Sequence, residues 1–125
     1  MIIGLGIDQI EIARVAKTWQ RYGNRFGRRV YTEAEWVYCL SRPHPAQSMA
    51  GRFAAKEAAM KALGTGHSRG VTWRSVEVVR RDGPPQLAFH AGAGARLSAL
   101  GGDSSLLTIT HSNTLAFAHV LLLGS

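Results

Sequence analysis

Cysteine is nearly absent. Cys39 stands alone among 125 residues, so the chain cannot close an internal disulfide. Long apolar runs are missing as well. The longest near the end, Leu115 to Leu123, is interrupted by His119 and falls short of the ~20 residues that a bilayer span needs. Met1-Ile2-Ile3-Gly4 lacks the basic and then apolar pattern of a secretory leader. Internal repeats and low-complexity tracts are also wanting. These absences exclude a disulfide scaffold, a membrane span and a solenoid. The expectation is one cytoplasmic domain over residues 1–125, with no membrane partner.

Acidic side chains are scarce too. Eight Asp and Glu face fifteen Lys and Arg, for a net charge of +7 and a sequence pI near 10.5. That balance favours anionic partners. Arg14, Lys17, Arg21, Arg25, Arg28 and Arg29 crowd into one stretch. A charge cluster of this kind also fits a merely solvated face, so it names a class of partner only.

Familiar nucleotide motifs fail. Gly4-Leu5-Gly6 lacks the third glycine of a dinucleotide fingerprint, because position 9 is Gln9. Gly64-Thr65-Gly66 lacks the Gly-Lys-Ser/Thr ending of a P-loop. Five histidines and one cysteine show no structural-zinc spacing.

What is present reads as an α+β domain with a largely antiparallel sheet. Ile2 to Ile7 is apolar and β-branched, a short strand. Asp8 and Glu11 then form the D-x-x-E pattern of a helix start, predicting a helix from Gln9 to about Tyr22. Thr32-Glu33-Ala34-Glu35 starts a second helix, which Pro43 and Pro45 end. An alanine-rich helix follows, from about Ala46 to Leu63. Extended segments are expected at Val71–Trp73, Val76–Arg80, Gln86–Phe89, Leu106–His111 and Leu115–Leu123, with a short helix over Ala93–Leu100. Cys39 falls on an apolar helix face and reads as a core residue.

The alanine-rich helix carries Phe53, Glu57 and Lys61 at i, i+4 and i+8, on one face, and ends at Gly64. This fits an exposed helix with a Glu–Lys pair and a glycine cap. It also fits a site in which Asp8 and Glu57 share a magnesium ion (Mg2+) while Lys61 reaches a phosphate. Asp8 can equally be a helix cap. His111, closing a strand, fits a hydrogen-bonded structural residue as well as a chemical one. His44, His67 and His90 receive no role.

Taken together, these residues resemble a known family. Gly4-Leu5-Gly6-Ile7-Asp8-Gln9-Ile10-Glu11-Ile12-Ala13-Arg14 is similar to the opening of holo-acyl-carrier-protein synthases, the short 4′-phosphopantetheinyl transferases. Arg52-Phe53-Ala54-Ala55-Lys56-Glu57-Ala58 through Lys61-Ala62-Leu63-Gly64-Thr65-Gly66 resembles their second motif. Thr32 to Cys39 and Thr110-His111-Ser112 also look like family segments. The likeness covers essentially the whole chain. The terminal motif continues Ser112-Asn113-Thr114-Leu115, without the charged residues often seen there.

The resemblance implies a 4′-phosphopantetheinyl transferase-like fold, an antiparallel sheet packed with the long alanine-rich helix. It implies transfer of phosphopantetheine from coenzyme A to a serine of an apo acyl carrier protein, with Mg2+. Asp8 and Glu57 match the family's metal-binding carboxylates, and Lys61 its diphosphate-binding lysine. With Gly64, Thr65 and Gly66 beside Lys61, and with Arg52 and His111 near the 3′-phosphate, these make the expected coenzyme site. Arg14, Arg21, Arg25 and Arg28 are the expected contacts to an acidic carrier protein, of which only Arg14 lies in a matched motif. The resemblance further implies a homotrimer with active sites between subunits. The rival expectations are a small basic nucleic-acid-binding domain and a non-catalytic trimeric scaffold.

Overall fold

A computed structural model describes residues 1–125. Strand β1 (Ile2–Glu11) leads into helices α1 (Ile12–Tyr22), α2 (Asn24–Val30), α3 (Glu33–Ser41) and α4 (Pro45–Leu63). A 3-10 turn (Trp73–Ser75), strands β2 (Val76–Val79) and β3 (Gln86–Phe89), helix α5 (Ala91–Ala99) and strands β4 (Gly102–His111) and β5 (Leu115–Gly124) complete it. The three long strands form an antiparallel sheet in the order β1-β5-β4, and β2 pairs with β3 as a separate hairpin. The α+β expectation is met.

Helix α4 is the axis of the molecule. It is not the exposed helix that its Glu–Lys spacing also allowed. Ala54, Ala55, Ala58, Ala59 and Ala62 are buried against the sheet. Methyl side chains let the helix approach closely, and the strand answers with glycine. A Cβ added to Gly6 would collide with the Ala58 carbonyl, and one added to Gly4 would press on that of Ala62. The Gly-Leu-Gly that mimics a nucleotide fingerprint is therefore a helix-packing device. Pro45, expected to end the preceding helix, instead occupies the first turn of α4, where its missing N–H leaves no bond unmade.

Strand β1 continues four residues beyond its expected end. It pairs with β5 down to Glu11↔Leu115, and Asp8 stands opposite Ala118. Asp8 is thus no helix cap; α1 begins only at Ile12, with Glu11 at its N-cap position making no side-chain bond. Along β1 the side chains alternate. Gly4, Gly6, Asp8 and Ile10 share one pleat direction, and the glycines show that it faces α4. A strand register, and not a cap, aims Asp8 at the long helix.

A second core lies between α1, α2, α3 and the first half of α4. Phe26 and Val30, one helical turn apart on α2, pack there with Tyr31, Cys39 and Met49. Burial pushes the Cys39 thiol up to about 11; the nearby Arg52 charge lowers it and Glu35 raises it further. At α3 the expected capping box is present: Thr32 Oγ1 accepts from Glu35 N at 3.2 Å, and Thr32 N donates to Glu35 Oε1 at 2.8 Å.

Candidate active site

A fully buried ion pair underlies the site. Lys56 Nζ lies 2.6 Å from Glu35 Oε1, and neither side chain is exposed to water. Lys56 also donates to the carbonyls of Trp73 (2.8 Å) and Val76 (2.6 Å). Glu35 Oε2 accepts from Val78 N at 2.9 Å. Burial pulls the Lys56 pKa below its ordinary value, against the opposing charge and hydrogen bond of Glu35. One lysine thereby ties α3, α4, the 3-10 turn and β2 together. It follows that the next residue of α4, Glu57, has a fixed backbone.

Glu57 projects into a cavity of about 1160 Å³ that Asp8 also lines. Its Oε1 accepts from the Trp73 indole at 2.7 Å and stands 3.2 Å from His67 Nε2. Phe53 joins Glu57 on this wall, as the i, i+4 spacing predicts. One turn further on, Lys61 Nζ donates to Asp8 Oδ1 at 2.8 Å and to the Ile7 carbonyl at 3.1 Å. The structure therefore gathers Asp8, Glu57 and Lys61 from a strand and a helix about fifty positions apart in sequence.

Asp8 and Glu57 offer carboxylate oxygens, the donor chemistry of a hard divalent cation. No group of three or more His, Cys, Asp or Glu side chains is placed to hold an ion. The donors therefore fit Mg2+ in one specific manner: two carboxylates leave most of the shell to water and substrate phosphates.

Arg14, Arg25 and Arg28 border the same cavity, together with Arg29 and Tyr22, which the sequence did not single out as site residues. Arg21 does not line it; its guanidinium lies over the Tyr22 ring at 5.2 Å, and that of Arg25 at 5.9 Å. Gly64, Thr65 and Gly66 are likewise outside the lining. Gly64 takes a left-handed φ of 75° and closes α4, its N–H bonding to the Lys61 carbonyl.

Arg52 and His111 belong elsewhere. They line a separate concavity of about 380 Å³ with Arg42, His44 and Arg80. Arg52 is buried, its guanidinium 3.9 Å from the centre of the Tyr38 ring, and its Nε has no hydrogen-bond partner. His111 Nδ1 accepts from Gln47 Nε2 at 2.9 Å. Within one chain, the expected coenzyme residues are split between two surfaces.

Comparison with known proteins gives this arrangement a context. The profile of the 4′-phosphopantetheinyl transferase superfamily matches residues 4–113. The chain belongs to that superfamily. Among its relatives in the superfamily are the holo-[acyl-carrier-protein] synthases of Koribacter versatilis (47% identical) and Nitratidesulfovibrio vulgaris (48%), each alignment covering 98% of both chains. The crystal structure of the Neisseria meningitidis synthase superposes with a TM-score of 0.90 at 27% identity, covering 98% of this chain and 99% of that one. The Bacillus anthracis synthase, solved in complex with CoA (3′,5′-ADP), gives 0.82 at 35% identity, covering 100% and 99%. As a 4′-phosphopantetheinyl transferase, the chain is an enzyme of the fold expected from its sequence.

Besides Arg29 and Tyr22, sequence reasoning does not find Trp73 and His67, the two residues that bond Glu57. The sequence places Trp73 in an extended segment and gives His67 no role. His67 directly follows Gly-Thr-Gly, whereas Trp73 lies seven residues beyond it and carries no local signal.

Proposed function

We propose that this chain, as one domain over residues 1–125, moves 4′-phosphopantetheine from coenzyme A to a serine of an apo acyl carrier protein. The observation that carries the reading is that Asp8 and Glu57 line one arginine-bordered cavity while Lys61 holds Asp8 from its edge. The serine oxygen attacks the β-phosphate of the coenzyme A diphosphate. The bond from that phosphorus to the bridging oxygen breaks, and 3′,5′-adenosine bisphosphate leaves. Mg2+ held by Asp8 and Glu57 would neutralise charge on the diphosphate. Lys61 supplies a further positive charge to the same group, and Glu57 is one acceptor for the serine proton. Transfer of this kind depends on positioning and charge, both of which these side chains provide.

The second concavity fits the other end of the coenzyme. Arg42, Arg52, Arg80 and His111 make a cationic pocket, and the unpartnered Arg52 Nε leaves a buried donor for an anion such as a 3′-phosphate. Its separation from Asp8 and Glu57 is understandable if each active site draws one half from each of two copies.

An uncovered sheet face supports such an assembly. Leu5 and Leu106 are 60% and 58% exposed, and both stand opposite Leu121 on the central strand. Ile2 and Ile7 extend this apolar surface along β1. A homotrimer packed through this face is the proposed state. Arg14, Arg25 and Arg28 would meet the acidic carrier at the cavity, and Arg21 through the adjoining Tyr22 surface. The superfamily match over residues 4–113 weighs against the nucleic-acid alternative. No helix is long and apolar enough to cross a membrane, and the proposed location is the cytoplasm.

The test is to follow nucleotide release. Incubation with coenzyme A and an apo carrier should liberate 3′,5′-adenosine bisphosphate in proportion to carrier modified. A carrier whose acceptor serine is replaced by alanine should yield neither. Release of nucleotide without a modified carrier would overturn the proposal.

A further inference from the structure

We propose that Trp73 is a positioning residue for Glu57, presenting one carboxylate oxygen to the cation by tying down the other. The proposal rests on the reading of Glu57 as a metal-binding group.

The argument begins with which oxygen is occupied. Trp73 Nε1 donates to Glu57 Oε1 at 2.7 Å, and His67 Nε2 meets that same oxygen at 3.2 Å. Glu57 Oε2 takes no hydrogen bond from the protein. Two donors on one oxygen fix the carboxylate plane and leave the other oxygen as the available ligand. An indole N–H suits this task because it is a donor only and carries no charge. It orients the carboxylate without neutralising it, whereas a lysine there would compete with the cation.

The tryptophan is itself held. Lys56 Nζ donates to the Trp73 carbonyl at 2.8 Å, so consecutive residues of α4 grip both ends of one residue. Lys56 takes the backbone and Glu57 receives the indole. The 3-10 turn is closed independently, with Thr72 N donating to Ser75 Oγ at 2.9 Å and Ser75 Oγ donating to the Thr72 carbonyl at 2.8 Å. The His67 ring stands edge-on to the indole with centres 4.4 Å apart, which keeps both donors on the same side of Glu57. A tryptophan serving the core alone would need an acceptor for its N–H, but would not need a second donor on that acceptor. Outer partners of metal-binding carboxylates generally tune affinity, with about 10- to 100-fold losses on removal.

Trp73→Phe keeps an aromatic side chain and deletes the donor. The decisive readout is Mn2+ affinity of the enzyme–coenzyme A complex without carrier protein, measured by electron paramagnetic resonance, so that no turnover is involved. The expected result is a roughly 10- to 100-fold weaker Mn2+ affinity in a protein that keeps native circular dichroism and cooperative unfolding. In the transfer assay the half-saturating Mg2+ concentration should rise similarly, with kcat largely recovered at high Mg2+. His67→Ala, at an exposed side chain that folding does not need, should shift Mn2+ affinity in the same direction by less, and His67→Gln should restore it. If Trp73→Phe does not fold, the His67 variants carry the test. Unchanged Mn2+ affinity in folded Trp73→Phe, or in His67→Ala should that variant stand alone, would reduce the contact to packing and overturn the proposal. Wild-type protein that transfers normally while this occurs leaves the proposed function standing; wild-type protein that takes up no Mn2+ overturns both.

Discussion

Lys61 Nζ sits 2.8 Å from Asp8 Oδ1, a cation already resting on a carboxylate proposed to hold another cation. The Lys61 side chain is 55% exposed, so the pair lies at the rim, where an ion pair contributes only about 0–1 kcal/mol. Exchange of this partner for a diphosphate is therefore inexpensive. Lys61→Met should leave the melting temperature nearly unchanged and raise KM for coenzyme A by about 10- to 100-fold, matching the 1.5–3 kcal/mol of a charged hydrogen bond. Steady-state kinetics beside thermal melting checks this.

The buried pair behaves oppositely. Lys56→Met strands the Glu35 carboxylate and leaves the Trp73 and Val76 carbonyls without their donor. The expected loss is about 3–5 kcal/mol in urea unfolding. Lys56→Met combined with Glu35→Gln should cost clearly less than the sum of the single changes.

Acid sensitivity should come partly from Glu77. Burial lifts its carboxyl, but hydrogen bonds from His90 and Thr32 and the charges of His90 and Lys56 outweigh that and hold it below the usual 4.5. Because the folded value is the lower one, the stabilisation is present above the unfolded value and is lost as pH falls through the folded value. Glu77→Gln should therefore be less stable than wild type at pH 7, and the gap should narrow below about pH 4. Urea midpoints across this range measure it.

The open sheet face predicts the assembly's weak point. Leu121→Lys places a charge in the row formed with Leu5 and Leu106. Light scattering should show a monomer of native circular dichroism, and transfer should fall with it. A fully active monomer would refute the shared-site reading.

Much of this was legible in the chain. The alanine-rich helix, the Thr32–Glu35 capping box and the strand–turn–strand ending at Ser112–Thr114 follow from local patterns, and the convergence of Asp8, Glu57 and Lys61 followed from helical spacing with the family likeness. The failures have physical causes. Asp8-Gln9-Ile10-Glu11 satisfies both a capping pattern and a strand alternation, and pairing with β5 decides for the strand. Helix α2 was hidden because Gly23, at φ 55°, breaks the periodicity between Trp19 and Phe26. Lys56 carries no separate expectation in the sequence, because nothing local marks Glu35 as its buried partner. Trp73 and His67 reach Glu57 only through the path of the loop after Gly66, and no spacing rule reports that path.

The most direct test of the account is intact-mass spectrometry of an apo acyl carrier protein after incubation with this enzyme and coenzyme A, with Mg2+ or with EDTA. The account predicts a gain of one phosphopantetheine with Mg2+, none with EDTA, and none with a folded Asp8→Ala variant. Modification that persists in EDTA or with Asp8→Ala would contradict the assigned carboxylate site, and no gain with any of several carriers would contradict the transferase assignment itself.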